Sequence, residues 1–151
     1  MEEARSINID FFETYIHLDD MCRERHGFSA SDYINQMVQT PVCEQALVPN
    51  WERNYKKFRR MRHLRNELAH GHNAFDTELC TKSDISWLKS MCYKIENQSD
   101  PLTLLDVQKE YQKSKKKISN AKIYKRVAIG VTAIATLSAA LITAIIEHDK
   151  T

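Results

Sequence analysis

Residues 51–71 read WERNYKKFRRMRHLRNELAHG, a run without proline whose single glycine comes last. Wound at about 100° per residue, Tyr55, Phe58, Met61, Leu68 and Ala69 fall on one side, so the segment reads as an amphipathic helix. Pro49 suits its opening and Gly71 its end. Arg53, Lys56, Lys57, Arg59 and Arg60 spread over the opposite half, as a solvated face does. Arg65 alone breaks the pattern, landing between Phe58 and Met61. A buried guanidinium without partners is costly, so Arg65 is expected either to pair with a buried carboxylate or to border a cleft that opens onto an anion.

Outward from this helix the chain keeps the same character. It has 151 residues, 42% hydrophobic and 28% charged, with only three Gly and three Pro, which favours few, long helices over many turns. Residues 8–26 carry Phe11, Phe12, Tyr15, Leu18, Met21 and Cys22 at helical spacing and stop at Gly27. A short helix from Ser31 to Val38 with a serine cap is expected after FSAS, ended by Pro41. Thr81 and Asp84 form a capping-box pattern that opens a helix toward Gln98, with Ile85, Leu88, Met91, Cys92 and Ile95 on its apolar side. Asp100–Pro101 starts another, with no Pro or Gly to stop it before Lys117. No strand pattern and no internal repeat is visible, so the fold class is all-α, a bundle of four to five helices.

The formal net charge of +2 does not by itself imply a polyanionic partner, but the basic residues cluster at 53–65 and 113–126. Cys22, Cys43, Cys80 and Cys92 form no CxxC pair, and reduced thiols, mostly buried, are expected. His63 and His72 flank His70 without acidic or cysteine partners at ligand spacing, so neither a metal nor another cofactor is expected. Trp51, Tyr55 and Trp87 read as core aromatics. The N-terminus, MEEARSINIDFF, places acid before its first apolar residues and does not read as a signal peptide.

From Val127 to Ile146 the chain runs VAIGVTAIATLSAALITAII without a charge. At 1.5 Å per residue this is about 30 Å, the hydrocarbon thickness of a bilayer. Seven Lys or Arg lie between Lys113 and Arg126 and only Lys150 follows the span, so the positive-inside bias keeps the N-terminal side cytoplasmic. The expected layout is a cytoplasmic helical domain at 1–112, a basic juxtamembrane helix or linker at 113–126, a single transmembrane helix at 127–146 inserted in the lipid bilayer, and a short translocated tail at 147–151.

Residues 65–70, RNELAH, resemble the signature of the HEPN superfamily: an Arg, a polar residue after it, and a His four to six positions beyond. The resemblance covers roughly residues 8–112 and implies an all-α, HEPN-like bundle. Many members of that superfamily are metal-independent ribonucleases that act as dimers, two motifs meeting across the interface in one composite site; others only bind. The resemblance therefore implies Arg65, Asn66 and His70 as catalytic residues of a homodimer acting on RNA. A base that removes the 2′-hydroxyl proton and a cation that stabilises the phosphoryl oxygens suffice for such cleavage without a metal. His70 suits the first role and Arg65 the second, with Asn66 orienting the imidazole. Lys56, Arg59, Arg60 and Arg62 would add RNA phosphate contacts. Such domains serve in toxin–antitoxin or antiviral defence systems, which would give an antitoxin or other protein as a further partner. The alternative expectation is a non-catalytic HEPN-like dimerisation module tethered to the membrane.

Overall fold

The first helix starts earlier than its apolar pattern: α1 spans Glu2–His26 rather than opening at residue 8. Glu2 and Glu3 occupy its first turn, where the positive end of the helix dipole favours them. Half-buried Ala4 and Ile7 then continue the core stripe of Phe11, Tyr15, Leu18 and Cys22 toward the N-terminus. The helix ends at Gly27, whose φ of +79° is the left-handed conformation that glycine adopts without penalty, and whose N–H donates to the Arg23 carbonyl at 3.0 Å.

The computed structural model describes residues 2–117, and among these the regular structure is helical with no strand. Ser29 caps α2 (Ala30–Gln39), its hydroxyl accepting from the Asp32 N–H at 3.1 Å, and Ala30, Tyr33, Ile34 and Met37 bury one face. Behind Pro41 comes a single turn, α3 (Val42–Gln45). Asn50, at φ 58°, turns the chain into α4 (Trp51–His70). A 3₁₀ turn at Ala74–Asp76 leads to α5 (Lys82–Glu96), opened by the expected capping box of Thr81 and Asp84. Residues 101–117 are helical, and Asp100 holds their start by accepting from the Thr103 hydroxyl at 2.6 Å.

Two compact units divide the chain, Met1–Gln108 and Lys109–Thr151. In the first, α1 lies mainly along α5 and also touches α2 and α4. Phe11, Leu18, Tyr33, Phe58, Met61 and Leu88 are fully buried at its centre. Tyr33, Phe58 and Trp87 form a chain of rings with centroids 4.9 and 5.0 Å apart, so Trp87 is a core aromatic, as Trp51 is. Of the second unit, residues 109–117 are described; they are helical, with Lys113 paired to Glu110 at 2.7 Å. The span at 127–146 and the tail at 147–151 lie outside the described residues, as does most of 113–126. No helix among the described residues is long and apolar enough to cross a membrane.

The buried stripe of α4 is Trp51, Phe58, Met61, Leu64 and Leu68. It is turned toward Leu64 relative to the sequence expectation, leaving Tyr55 half-buried and Ala69 exposed. Trp51 and Leu64 together bury far more apolar area than Ala69 and the edge of Tyr55, so the packing favours that rotation. Arg65 thereby sits at the margin of the stripe.

Gly71 ends α4 for a steric reason, since its φ is −75°. A Cβ there would meet the Glu67 carbonyl oxygen at 2.6 Å and the Ala74 Cβ at 2.9 Å, and both neighbours are backbone or rigidly placed. Gly71→Ala is therefore expected to lower stability by about 1–3 kcal/mol, the range of an overpacked site, as read from the thermal melt. An unchanged melt would mean that the loop after α4 yields freely.

Candidate functional site

Arg65 is half-buried, and its guanidinium lies over the Phe12 ring, 5.8 Å from the centroid. The aromatic face supplies the cation with favourable contact while its polar edge reaches outward. Nη1 donates to Asn66 Oδ1 at 3.3 Å. Among the described residues no carboxylate comes within ion-pair distance of Arg65. Of the two places foreseen for this residue, the border of a cleft is the one observed. That cleft, of about 210 Å³, lies between α1, the start of α2 and α4, and Tyr15, Asp19, Arg23 and Ser29 share it with Arg65 and Asn66. Asp19 is already engaged, accepting from Arg23 Nε at 2.9 Å and from the Ala30 N–H at 2.7 Å. Burial, then the Asp19 charge, pushes the Tyr15 hydroxyl above its ordinary range, so it stays a neutral donor.

His70 is the last residue of α4 and is exposed; it does not line this cleft. It belongs to a ridge of α4 formed by Arg59, His63, Asn66 and His70 at spacings of four, three and four residues, all exposed. The structure thus joins Arg65 to Asn66 and places Asn66 on the face of His70, but it does not bring Arg65 and His70 to one cavity within a protomer. His63, which the sequence reading weighed only as a metal ligand, is a neighbour of the motif on this ridge; its spacing of seven residues from His70 was the available signal.

The basic side of α4 is divided. Arg59 lies on the motif ridge, its guanidinium 5.6 Å from the Tyr55 ring centroid. Arg62 is half-buried, and Lys56 pairs with Glu52 at 3.2 Å. Arg60, foreseen as a solvated phosphate contact, points instead to α5, where Nε and Nη2 reach the two Asp84 oxygens at 3.3 Å each. Burial pushes the Asp84 carboxyl upward, but the bonds from Arg60 and Thr81 outweigh it and hold the group below its ordinary range. The same pairing raises Arg60. One carboxylate therefore caps α5 and ties it to α4.

Two buried polar centres escaped the sequence reading. Asn8 is fully buried on α1 and grips the loop that follows His70: its amide nitrogen donates to the Phe75 and Thr77 carbonyls at 3.0 and 2.6 Å, and its oxygen accepts from the Cys80 N–H at 3.1 Å. Its position three residues before Phe11 in the core stripe was the same kind of signal that drew attention to Arg65. Asp100, also fully buried, accepts from the Tyr33 hydroxyl at 2.5 Å and lies 3.3 Å from His26 Nε2, which meets it off the line of a well-directed hydrogen bond. The thiols of Cys22, Cys80 and Cys92 are buried, which pushes them up to about 12, 11 and 11, while Cys43 is exposed. Among the described residues no three His, Cys, Asp or Glu side chains gather where one metal ion would be held.

Fold and site together define a small all-α protein with an arginine-bordered cleft beside a polar ridge. The chain belongs to a family of unknown function (DUF6548), which it matches over residues 9–142. No curated protein matches it, and no solved structure does.

Proposed function

We propose that the chain is a membrane-anchored, HEPN-like, metal-independent endoribonuclease that acts as a dimer on cytoplasmic RNA and leaves a 2′,3′-cyclic phosphate. One observation carries the reading: a half-buried arginine within the RNELAH motif has no carboxylate partner among the described residues and opens, bonded to Asn66, onto a cleft. His70 takes the 2′-hydroxyl proton, the 2′-oxygen attacks phosphorus, Arg65 neutralises the phosphoryl oxygens, and the departing 5′-oxygen is protonated by the imidazole of a second copy. Two copies are invoked because His70 does not line the cleft that Arg65 and Asn66 border. Ile9, Phe12 and Ile16, at i, i+3 and i+7 on α1, offer an apolar seat for that second copy; Ile9 and Ile16 are 40% and 45% exposed, and Ile16 lines the cleft with Arg65 and Asn66. The uncharged stretch 127–146, behind its basic approach, holds the enzyme at the membrane in the manner of a toxin or defence nuclease.

His70→Ala in the full-length chain is expected to reduce cleavage of single-stranded RNA by about a hundredfold or more while leaving the helical melt unchanged. Cleavage at the wild-type rate would overturn the assignment. The absence of exposed His70 from the cleft lining favours a second reading, a tethered HEPN-like scaffold, in which the wild-type chain dimerises and cleaves no RNA at all.

A further inference from the structure

About a third of a turn around α4 from the motif ridge, α3 and the first half of α4 border a second concavity. It is an open groove of about 880 Å³ whose floor is apolar, made by Val42, Ala46, Val48 and Trp51. Val42 is 79% exposed, more than any other large apolar side chain among the described residues. The rim is basic. Arg53, Lys57 and Arg60 recur at i, i+4 and i+7, one ridge of α4 about two turns long. Asp84 engages Arg60, but Arg53 and Lys57 have no carboxylate partner among the described residues.

These features discriminate among occupants. Sequence-tolerant binding of single-stranded nucleic acid relies on exposed aromatic faces, and the one aromatic residue of the floor, Trp51, is only 4% exposed. Small-molecule sites enclose most of their ligand, whereas this groove is open to solvent along its length. A helix laid along it would cover the apolar floor with side chains one turn apart and set carboxylates on the same repeat against the ridge. We infer that this groove docks an amphipathic helix of an acidic partner protein, apolar residues against Val42 and Ala46 and carboxylates against Arg53 and Lys57. The inference does not depend on the ribonuclease reading, because it uses a different face of α4.

The test uses the full-length chain in nanodiscs of neutral lipid and a fluorescein-labelled, stapled helix about four turns long, with leucines recurring every three or four residues and glutamates on both flanks. Fluorescence anisotropy is expected to show saturable binding, weakened about tenfold or more by Val42→Glu and by Lys57→Glu, and unaffected by Val38→Glu, an exposed α2 residue outside the groove. The same helix with lysine in place of every glutamate should bind at least about tenfold more weakly. Equal binding of the two helices, or indifference to Val42→Glu, would overturn the inference. So would loss of single-stranded RNA binding in Val42→Glu, which would make the groove a nucleic-acid site, or dissociation of a dimer by that substitution, which would assign it to a second copy.

Discussion

Asn8→Asp is expected to lower the stability of the helical unit by about 4 kcal/mol, measured by urea denaturation followed by circular dichroism. The amide nitrogen of Asn8 points at the carbonyls of Ala74, Phe75 and Thr77, at 3.4, 3.0 and 2.6 Å. An oxygen in its place turns three attractive contacts into repulsions and buries a charge that has no cation within reach. The side chain is fully buried, so solvent does not relieve it. Native proteins are held by only about 5–15 kcal/mol, so much of the margin would go. The loop between α4 and α5 should loosen first, because Asn8 is its deepest polar anchor and the other polar tie to α1, Arg5 to Asp76 at 3.3 Å, is exposed and weak. A loss under about 1 kcal/mol would show that the loop holds its shape without Asn8.

Acid should expose the second buried centre. Burial alone would push the Asp100 carboxyl upward, but its contacts with His26, Thr103 and Tyr33 outweigh that and hold it at about 2, against an ordinary value of 3.8. The folded value is the lower one, so the carboxylate stabilises the fold above the ordinary value, and that contribution is lost as pH falls through about 2. The difference is worth about 2 kcal/mol. Burial, then the Asp100 charge, raises Tyr33 well above the usual phenol range, which keeps its hydroxyl a donor throughout. Unfolding free energies from urea titrations between about pH 5 and pH 2 should fall by that amount in the wild type. In Asp100→Asn the dependence should flatten, with stability already reduced at neutral pH because Tyr33 and Thr103 lose a charged acceptor. A parallel decline in both proteins would place the acid sensitivity elsewhere.

The parts of this structure legible in the sequence are those set by near neighbours along the chain. The Thr81–Asp84 capping box, the Gly27 stop, the Asp100–Pro101 start and the body of α4 each follow from residues within a few positions of one another. The parts that were not legible depend on distant partners. Arg60 looked like one more solvated cation because Asp84, which claims it, is 24 residues away. Asn8 drew no notice because Cys80, whose N–H it accepts, is 72 residues away. The start of α1 at Glu2 carried no strong apolar marker, only acidic residues favoured by the end of a helix. Arg65 was conspicuous in the sequence as a charge among apolar positions, but its actual companions, Phe12 and the cleft beside α2, lie on other helices.

The ring beneath Arg65 also dictates a direction. With the Phe12 ring centroid 5.8 Å from the guanidinium carbon and one N–H given to Asn66, the remaining donors lie along the rim of the group. A tetrahedral oxyanion meeting this arginine would be gripped edgewise, in the plane of the cation, by two of its oxygens at once. A flat visitor stacking on the same arginine would compete with Phe12 on the ring's side, so the aromatic cushion would bias the trajectory of whatever enters.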